Sequence, residues 1–276
     1  MGKLVKNNVK AEMGFFDHIE ELRWHIIRSL IAIATASLFM FSNKKFLFDY
    51  LLFGPTRPDF PANRFFCWLA QQSPYFFSGL CMQGKVHKFI NTDLAGQFYL
   101  HFEMAAISGA IIASPYVIWE IWRFIKPALY EQEIKKTTGV LFFVIILFLL
   151  GCMFGYFIIA PFSVNFFLNY EAVGQAENLI SVDNYISNLI SMVLPTGIMF
   201  ELPVVVYFLT RIGLITPAFM RNTRKFAYII ILGAIAVITP QGDMFSLVLI
   251  STPIFILYQV SIGISQRVYN KIVRED

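Results

Sequence analysis

The sequence predicts an all-α membrane protein with six transmembrane helices, and three observations carry that prediction. First, 57% of the residues are hydrophobic and only 14% are charged, against roughly 25% charged in an ordinary soluble domain. Second, Gly139–Ala160 is a run of 22 uncharged residues and Met244–Gly263 a run of 20. Either can cross a hydrocarbon core about 30 Å thick, which takes about 20 residues of helix. Third, these runs are continuously apolar. They lack the alternation that marks the strands of a membrane β-barrel.

Six apolar segments can be drawn within a single membrane domain spanning 1–276, at 24–42, 98–119, 138–160, 185–210, 226–239 and 245–263. The first follows basic residues as a secretory leader would. It lacks a small-residue cleavage site, and the chain beyond it is itself multi-span, so it reads as a retained span. Spans two and three flank the charged link WEIWRFIKPALYEQEIKK, Trp119 to Lys136. Within it Pro127 should stop a helix arriving from the left, because proline lacks an N–H and clashes with the preceding turn. Span four holds Glu201 between Pro195 and Pro203, which predicts a bent helix. Span five offers only 14 residues, Phe226–Thr239, about 21 Å of helix at 1.5 Å per residue. That is shorter than the bilayer core, so thinning or burial against neighbours is expected. A long outer loop covers 43–97 and a second polar loop 161–184; no soluble domain or internal repeat is visible.

Orientation follows from lysine and arginine. With both termini cytosolic, Lys3, Lys6, Lys10, Arg23 and Arg28 lie inside, joined by Arg123, Lys126, Lys135 and Lys136. Arg211, Arg221, Arg224, Lys225, Arg267, Lys271 and Arg274 fall on the same side. The others (Lys44, Lys45, Arg57, Arg64, Lys85, Lys88) sit in the long loop. No basic stripe stands apart from the membrane flanks, which excludes nucleic acid as a partner. Cys67 and Cys81 lie in the long loop and Cys152 inside a span. If the loop lies outside the cytosol, Cys67 and Cys81 can form a disulfide; two unpaired thiols remain the other reading, since spacing does not fix connectivity.

Few residues carry chemistry. Before span one, MGFFDHIEELR sets Phe15, Ile19 and Leu22 at helical spacing against Asp17, Glu20, Glu21 and Arg23, the pattern of an interfacial amphipathic helix. Two acidic patches, Glu20–Glu21 and Glu131/Glu133, fall on the positively charged face. Arginine is the group that pairs with carboxylates in bidentate geometry, so a ligand bearing two arginines suits the pair. Glu201 lies well inside span four, and an ionisable residue at membrane depth marks a functional site by default. Asp243 sits in the turn TPQGD, and His101 and Glu103 read as interfacial. The four histidines are scattered, and no metal-ligand spacing, nucleophile elbow or phosphate loop appears. The sequence therefore points away from an enzyme and calls for no cofactor or metal.

The arrangement resembles the TatC family, the polytopic receptor subunit of the twin-arginine protein translocase. The residues that carry the resemblance are HIEELR before span one, SPYVIWEIWRFIKPALYEQE in the central link, FELP in span four and TPQGDMFS between spans five and six. The six-span layout with both termini inside is similar as well. The resemblance implies a glove-like concave bundle in a bacterial inner membrane that exports folded proteins using the proton-motive force. Its partners would be the single-span subunits TatA and TatB and twin-arginine signal peptides. It further implies that Glu21 and Glu133 bind the arginine pair while Arg23, Phe124, Pro127 and Leu129 shape the site. Glu201 and Asp243 would contact partner helices, and Pro55 and Pro115 would keep the scaffold's shape. Three features depart from the family pattern: Glu131 stands where a basic or neutral residue is common, Leu247 where glutamine is common, and loop 43–97 is longer than usual. The rival reading is a proton-coupled small-molecule transporter using Glu201 at a broken helix; the lack of a visible inverted repeat argues against it.

Overall fold

The computed structural model describes residues 15–57, 59–72, 89–125, 131–169, 180–238 and 244–275. Helix α1, Phe15–Ser42, is 28 residues long. It starts well before the expected 24 because the amphipathic segment that carries Glu21 continues into the span without a break. Helix α3, Gly96–Ile125, likewise runs past the expected end at 119 and stops two residues short of Pro127. The stretch from Trp119 to Ile125 is thus helical and continuous with α3.

The next apolar run is helical from Glu131 to Asn169. Helix α4, Glu131–Phe154, passes through a π-helical turn, Gly155–Ile159, into α5, Ala160–Asn169. Helix α6, Val182–Met199, is separated by the turn Phe200–Glu201 from α7, Leu202–Arg211. A short α8, Pro217–Asn222, leads to α9, Arg224–Ile238, and α10, Met244–Glu275, closes the chain. The turn after α7 uses Gly213 at φ +79°, a left-handed conformation that glycine adopts at no steric cost.

Among the described residues, five helical stretches are long and apolar enough to cross a membrane: 19–42, 96–124, 139–164, 182–211 and 247–272. Helix α9, at 15 residues, spans about 22 Å, which matches the short fifth segment expected at 226–239.

Within the long loop expected at 43–97, the described residues form short ordered elements. They include a π-helix Phe46–Leu52, a 3₁₀ turn Gly54–Thr56 around buried Pro55, and helix α2, Pro61–Gln72. Strand β1, Phe89–Ile90, follows and pairs in parallel with β2, Ile180–Ser181, so the fold carries one small strand pair that the all-α expectation lacks. Both distant and local hydrogen bonds hold this cap. The Tyr156 hydroxyl donates to the Leu51 carbonyl at 2.8 Å and the Tyr185 hydroxyl to the Leu52 carbonyl at 2.6 Å. Asn63 Nδ2 donates to the carbonyls of Pro55 (3.1 Å) and Arg57 (2.6 Å). Leu47 and Leu52 are fully buried in a core shared with Met40, Leu100, Met104 and Ile186.

Two of the helix contacts close through small residues, which let backbones approach inside a membrane. On α1 and α3, Ser37 lies against Gly109 so closely that a Cβ on the glycine would come within 2.6 Å of Ser37 Cα. A Cβ on Gly151 would lie 2.8 Å from Gly197 Cα, and one on Gly155 would lie 2.9 Å from Val193 Cα, which joins the third stretch to α6. Between α7 and α10, buried Thr210 donates to Ser265 Oγ at 2.9 Å, beside a cluster of Val206, Met220, Tyr258 and Ile262.

Candidate functional site

At the end of the bundle where α1 begins, the α1–α3 seam carries a chain of polar side chains. Glu120 is completely buried, a position that a carboxylate tolerates only when paired and hydrogen-bonded. Three donors meet it. Tyr116, one turn back on α3, donates its hydroxyl to Oε1 at 2.8 Å, and Arg123 Nη1 reaches the same oxygen at 3.3 Å. Across the seam, buried His25 sets Nδ1 2.5 Å from Oε2. A carboxylate only accepts, so Nδ1 carries the hydrogen. The Arg123 guanidinium also lies over the Trp119 ring, 4.9 Å from its centroid, and Phe124 packs its ring edge-on to His25 at 6.1 Å.

Glu21 sits one helical turn before His25, with Oε1 3.9 Å from His25 Nε2. That pair carries charge attraction when the ring holds its second proton. The other oxygen of Glu21, Oε2, is buried and has no hydrogen-bond partner among the described residues. Arg23 is exposed, with its guanidinium 5.6 Å from the Trp24 ring centroid.

Of the residues expected here, the structure brings Glu21, Arg23 and Phe124 to one end of the α1–α3 pair. Glu133 belongs to the first turn of α4, but its side chain lies outside the described residues, as do Pro127 and Leu129 altogether. Sequence reasoning missed His25 and Glu120. The signal was present in the spacing: Glu21 and His25 are four apart, while Tyr116, Glu120 and Arg123 follow at four and three, so each set shares a helix face.

The second expected feature, Glu201, lies where α6 gives way to α7. The break has an identifiable cause: Pro203 removes an N–H, and Glu201 N turns to the Ile198 carbonyl at 3.0 Å in a tighter 3₁₀-type bond. Both carboxyl oxygens of Glu201 are buried and lack a hydrogen bond of ordinary geometry among the described residues, with the Phe148 backbone on α4 as the donor that acts on them. Asp243 lies outside the described residues.

Pro115 interrupts the backbone ladder of α3. The carbonyl it strands, Ile111, accepts instead from Ser114 Oγ at 2.7 Å, so the helix continues past the proline. Cys152 is a buried free thiol and Cys67 is disulfide-bonded, while Cys81 lies outside the described residues. Among the described residues no group of histidine, cysteine, aspartate or glutamate is placed to hold a metal ion.

Fold and site together define a polytopic helical membrane protein that presents an acidic side chain, braced from beneath, at one end of its first helix pair. Known proteins narrow this class. The family model described as "Sec-independent protein translocase protein (TatC)" matches residues 17–253. The TatC protein of Blattabacterium sp. subsp. Periplaneta americana (strain BPLAN) is 41% identical over 271 residues, covering 96% of this chain and 99% of that protein. TatCy of Bacillus subtilis (strain 168) is 36% identical over 179 residues, 65% of this chain and 70% of that protein. A crystal structure of the twin-arginine translocase receptor TatC in the detergent DDM superposes with a TM-score of 0.69 at 32% identity, over 89% of this chain and 98% of that one. The chain belongs to the TatC family of Sec-independent protein translocase proteins. The small-molecule transporter reading finds no support in these relatives.

Proposed function

We propose that this chain is the signal-peptide receptor and core scaffold of a twin-arginine translocase, exporting folded proteins across a bacterial inner membrane with the proton-motive force. One observation supports it above the rest: Glu21 keeps a buried carboxylate oxygen without a hydrogen-bond partner among the described residues, at the end of the bundle where family resemblance expects arginines to bind. An acceptor in that condition is costly until a donor arrives. In this reading Glu21 and Glu133 receive the two guanidinium groups of the signal peptide. Arg23, Phe124, Pro127 and Leu129 shape the surroundings. The test is photo-crosslinking of a twin-arginine signal peptide to the chain in membranes. Glu133→Ala should abolish it while the protein stays membrane-inserted, and undiminished crosslinking would overturn the assignment.

The membrane layout in this reading is six spans with α9 as the short fifth, and both termini cytosolic. Lys and Arg flanking the α1 end support that orientation. Glu201 and Asp243 would face TatA or TatB, with Glu201 accepting from a polar group on a partner helix. Its two unpaired oxygens at a helix break support that role. Loss of TatA assembly in both Glu201→Gln and Glu201→Ala, with peptide binding intact, is the expected result; survival of assembly in both refutes it. Pro55 and Pro115 would be structural. Cys67 would pair with Cys81 on the outer side, consistent with an oxidising compartment.

A further inference from the structure

We infer that His25 and Glu120 are positioning residues for the Glu21 carboxylate, and that they set the site's preference for arginine over lysine. The inference rests on the proposed role of Glu21 as a guanidinium acceptor.

A glutamate on an exposed helix face samples many rotamers, and holding it in one costs side-chain entropy. Among the described residues, Glu21 is restrained by the contact from Oε1 to His25 Nε2 at 3.9 Å. That contact is only as firm as the imidazole. The ring is fixed by Glu120 on Nδ1 at 2.5 Å and by the Phe124 edge. Glu120 is in turn fixed by Tyr116 and Arg123 from its own helix. The order therefore runs from α3 through Glu120 and His25 to Glu21. It ends with Oε1 drawn toward the seam and Oε2 buried and without a partner. Each carboxylate oxygen accepts two hydrogen bonds, so Oε1 keeps capacity beside the histidine.

The chemistry of the two cations separates their response to this order. A guanidinium offers parallel N–H groups in a plane and gains from a carboxylate whose plane is already set. An ammonium is a point charge on a flexible stem and accepts a carboxylate at almost any orientation. Loosening Glu21 should therefore penalise arginine far more than lysine. A side chain that served only to pack α1 on α3 would weaken both alike.

The experiment measures binding of two synthetic signal peptides, identical except that one carries two arginines and the other two lysines, to the full chain in lipid nanodiscs. His25→Gln and Glu120→Ala should each lower the arginine-to-lysine affinity ratio by about tenfold, the scale of one charge-assisted hydrogen bond. Glu120→Gln, which keeps an oxygen opposite Nδ1, should retain more of the ratio than Glu120→Ala. In a Glu21→Gln background, adding His25→Gln should change nothing further. An unchanged ratio in His25→Gln and Glu120→Ala, or equal weakening of both peptides, overturns the inference; so does a further loss on the Glu21→Gln background. If Glu120→Ala fails to reach the membrane, His25→Gln decides alone. Should Glu21→Gln itself bind the arginine peptide at full strength, the underlying role of Glu21 falls as well, and the two failures are thereby distinguished.

Discussion

Gly109→Ala should separate α1 from α3 although it adds only one methyl group. The new Cβ would lie 2.6 Å from Ser37 Cα, whereas two carbons rest at about 3.5–4.0 Å. The shortfall is roughly 1 Å, and although the nearby Ser37 hydroxyl can rotate away, the Ser37 backbone N and Cα cannot. The helices must part. A gap of about 0.5–1 Å already forfeits a quarter to a half of each dispersion contact along a seam, and overpacking of this kind costs about 1–3 kcal/mol. Against it stands the helix-propensity gain of alanine over glycine, at most about 1 kcal/mol. A net loss of about 1–2 kcal/mol remains. Thermal unfolding of the purified chain in detergent reads this directly. Gly233→Ala is the matched control, because a Cβ there meets nothing within 4 Å, so it should be neutral or slightly stabilising. If Gly109→Ala proves as harmless as Gly233→Ala, the close-contact account of the seam is wrong.

Three further outcomes are expected. Tyr185→Phe leaves the Leu52 carbonyl without its 2.6 Å donor and should cost about 1–2 kcal/mol; limited proteolysis should cut within 46–72 more readily, and unchanged cleavage refutes the hydroxyl's role in holding the cap. Thr210→Val removes the donor to buried Ser265 at about 1 kcal/mol. The double variant Thr210→Val/Ser265→Ala should recover part of that loss, and strict additivity in thermal melts would show the two hydroxyls to be uncoupled. Reduction of the proposed Cys67–Cys81 bond, which closes a loop of about 15 residues, should destabilise the cap by about 3 kcal/mol on the chain-entropy model; identical melting with and without reductant contradicts the pairing.

Much of the helical layout was legible because apolar runs report burial in lipid directly. Span one ends at Ser42 as expected, and α9 at Arg224–Ile238 falls within two residues of the expected 226–239. The errors have a common physical origin. Charged residues were read as ending a span at Trp119, yet α3 runs on to Ile125 because each charge there is accommodated. Glu120 is neutralised by three donors, and Arg123 lies over Trp119. Sequence alone shows 43–97 as a long loop because two of the groups that order it, Tyr156 and Tyr185, lie more than a hundred residues away. No local window contains such a bond. His25 shows only half its role locally: its spacing to Glu21 puts the two on one helix face, but its other partner, Glu120, is 95 residues distant.

The two buried glutamates show why satisfaction, more than depth, separates a fastener from a docking group. Glu120 has a donor for each oxygen and an additional one on Oε1. Both its oxygens are paired and buried away from any incoming ligand, and removing His25 leaves Oε2 without the donor it has among the described residues, at about 1–3 kcal/mol. Glu201 is the opposite case, with two buried oxygens and no ordinary hydrogen bond among the described residues. Its surroundings do not relax to supply one, because the α4–α6 contact at Gly151 and Gly197 brings backbone against backbone, and close-packed backbone cannot shift to bring a donor nearer. The cost of the unpaired carboxyl is thus held in place by the close glycine contact beside the break that Pro203 makes. A donor on a helix arriving from the membrane would relieve that cost, and one reaching Glu120 would relieve nothing. Substitution with leucine should therefore act in opposite directions at the two sites: Glu201→Leu should raise the melting temperature of the isolated chain, while Glu120→Leu, which strands His25, should lower it. A fall at both positions would mean that Glu201 is already satisfied within the chain, and the argument for an open acceptor there would be lost.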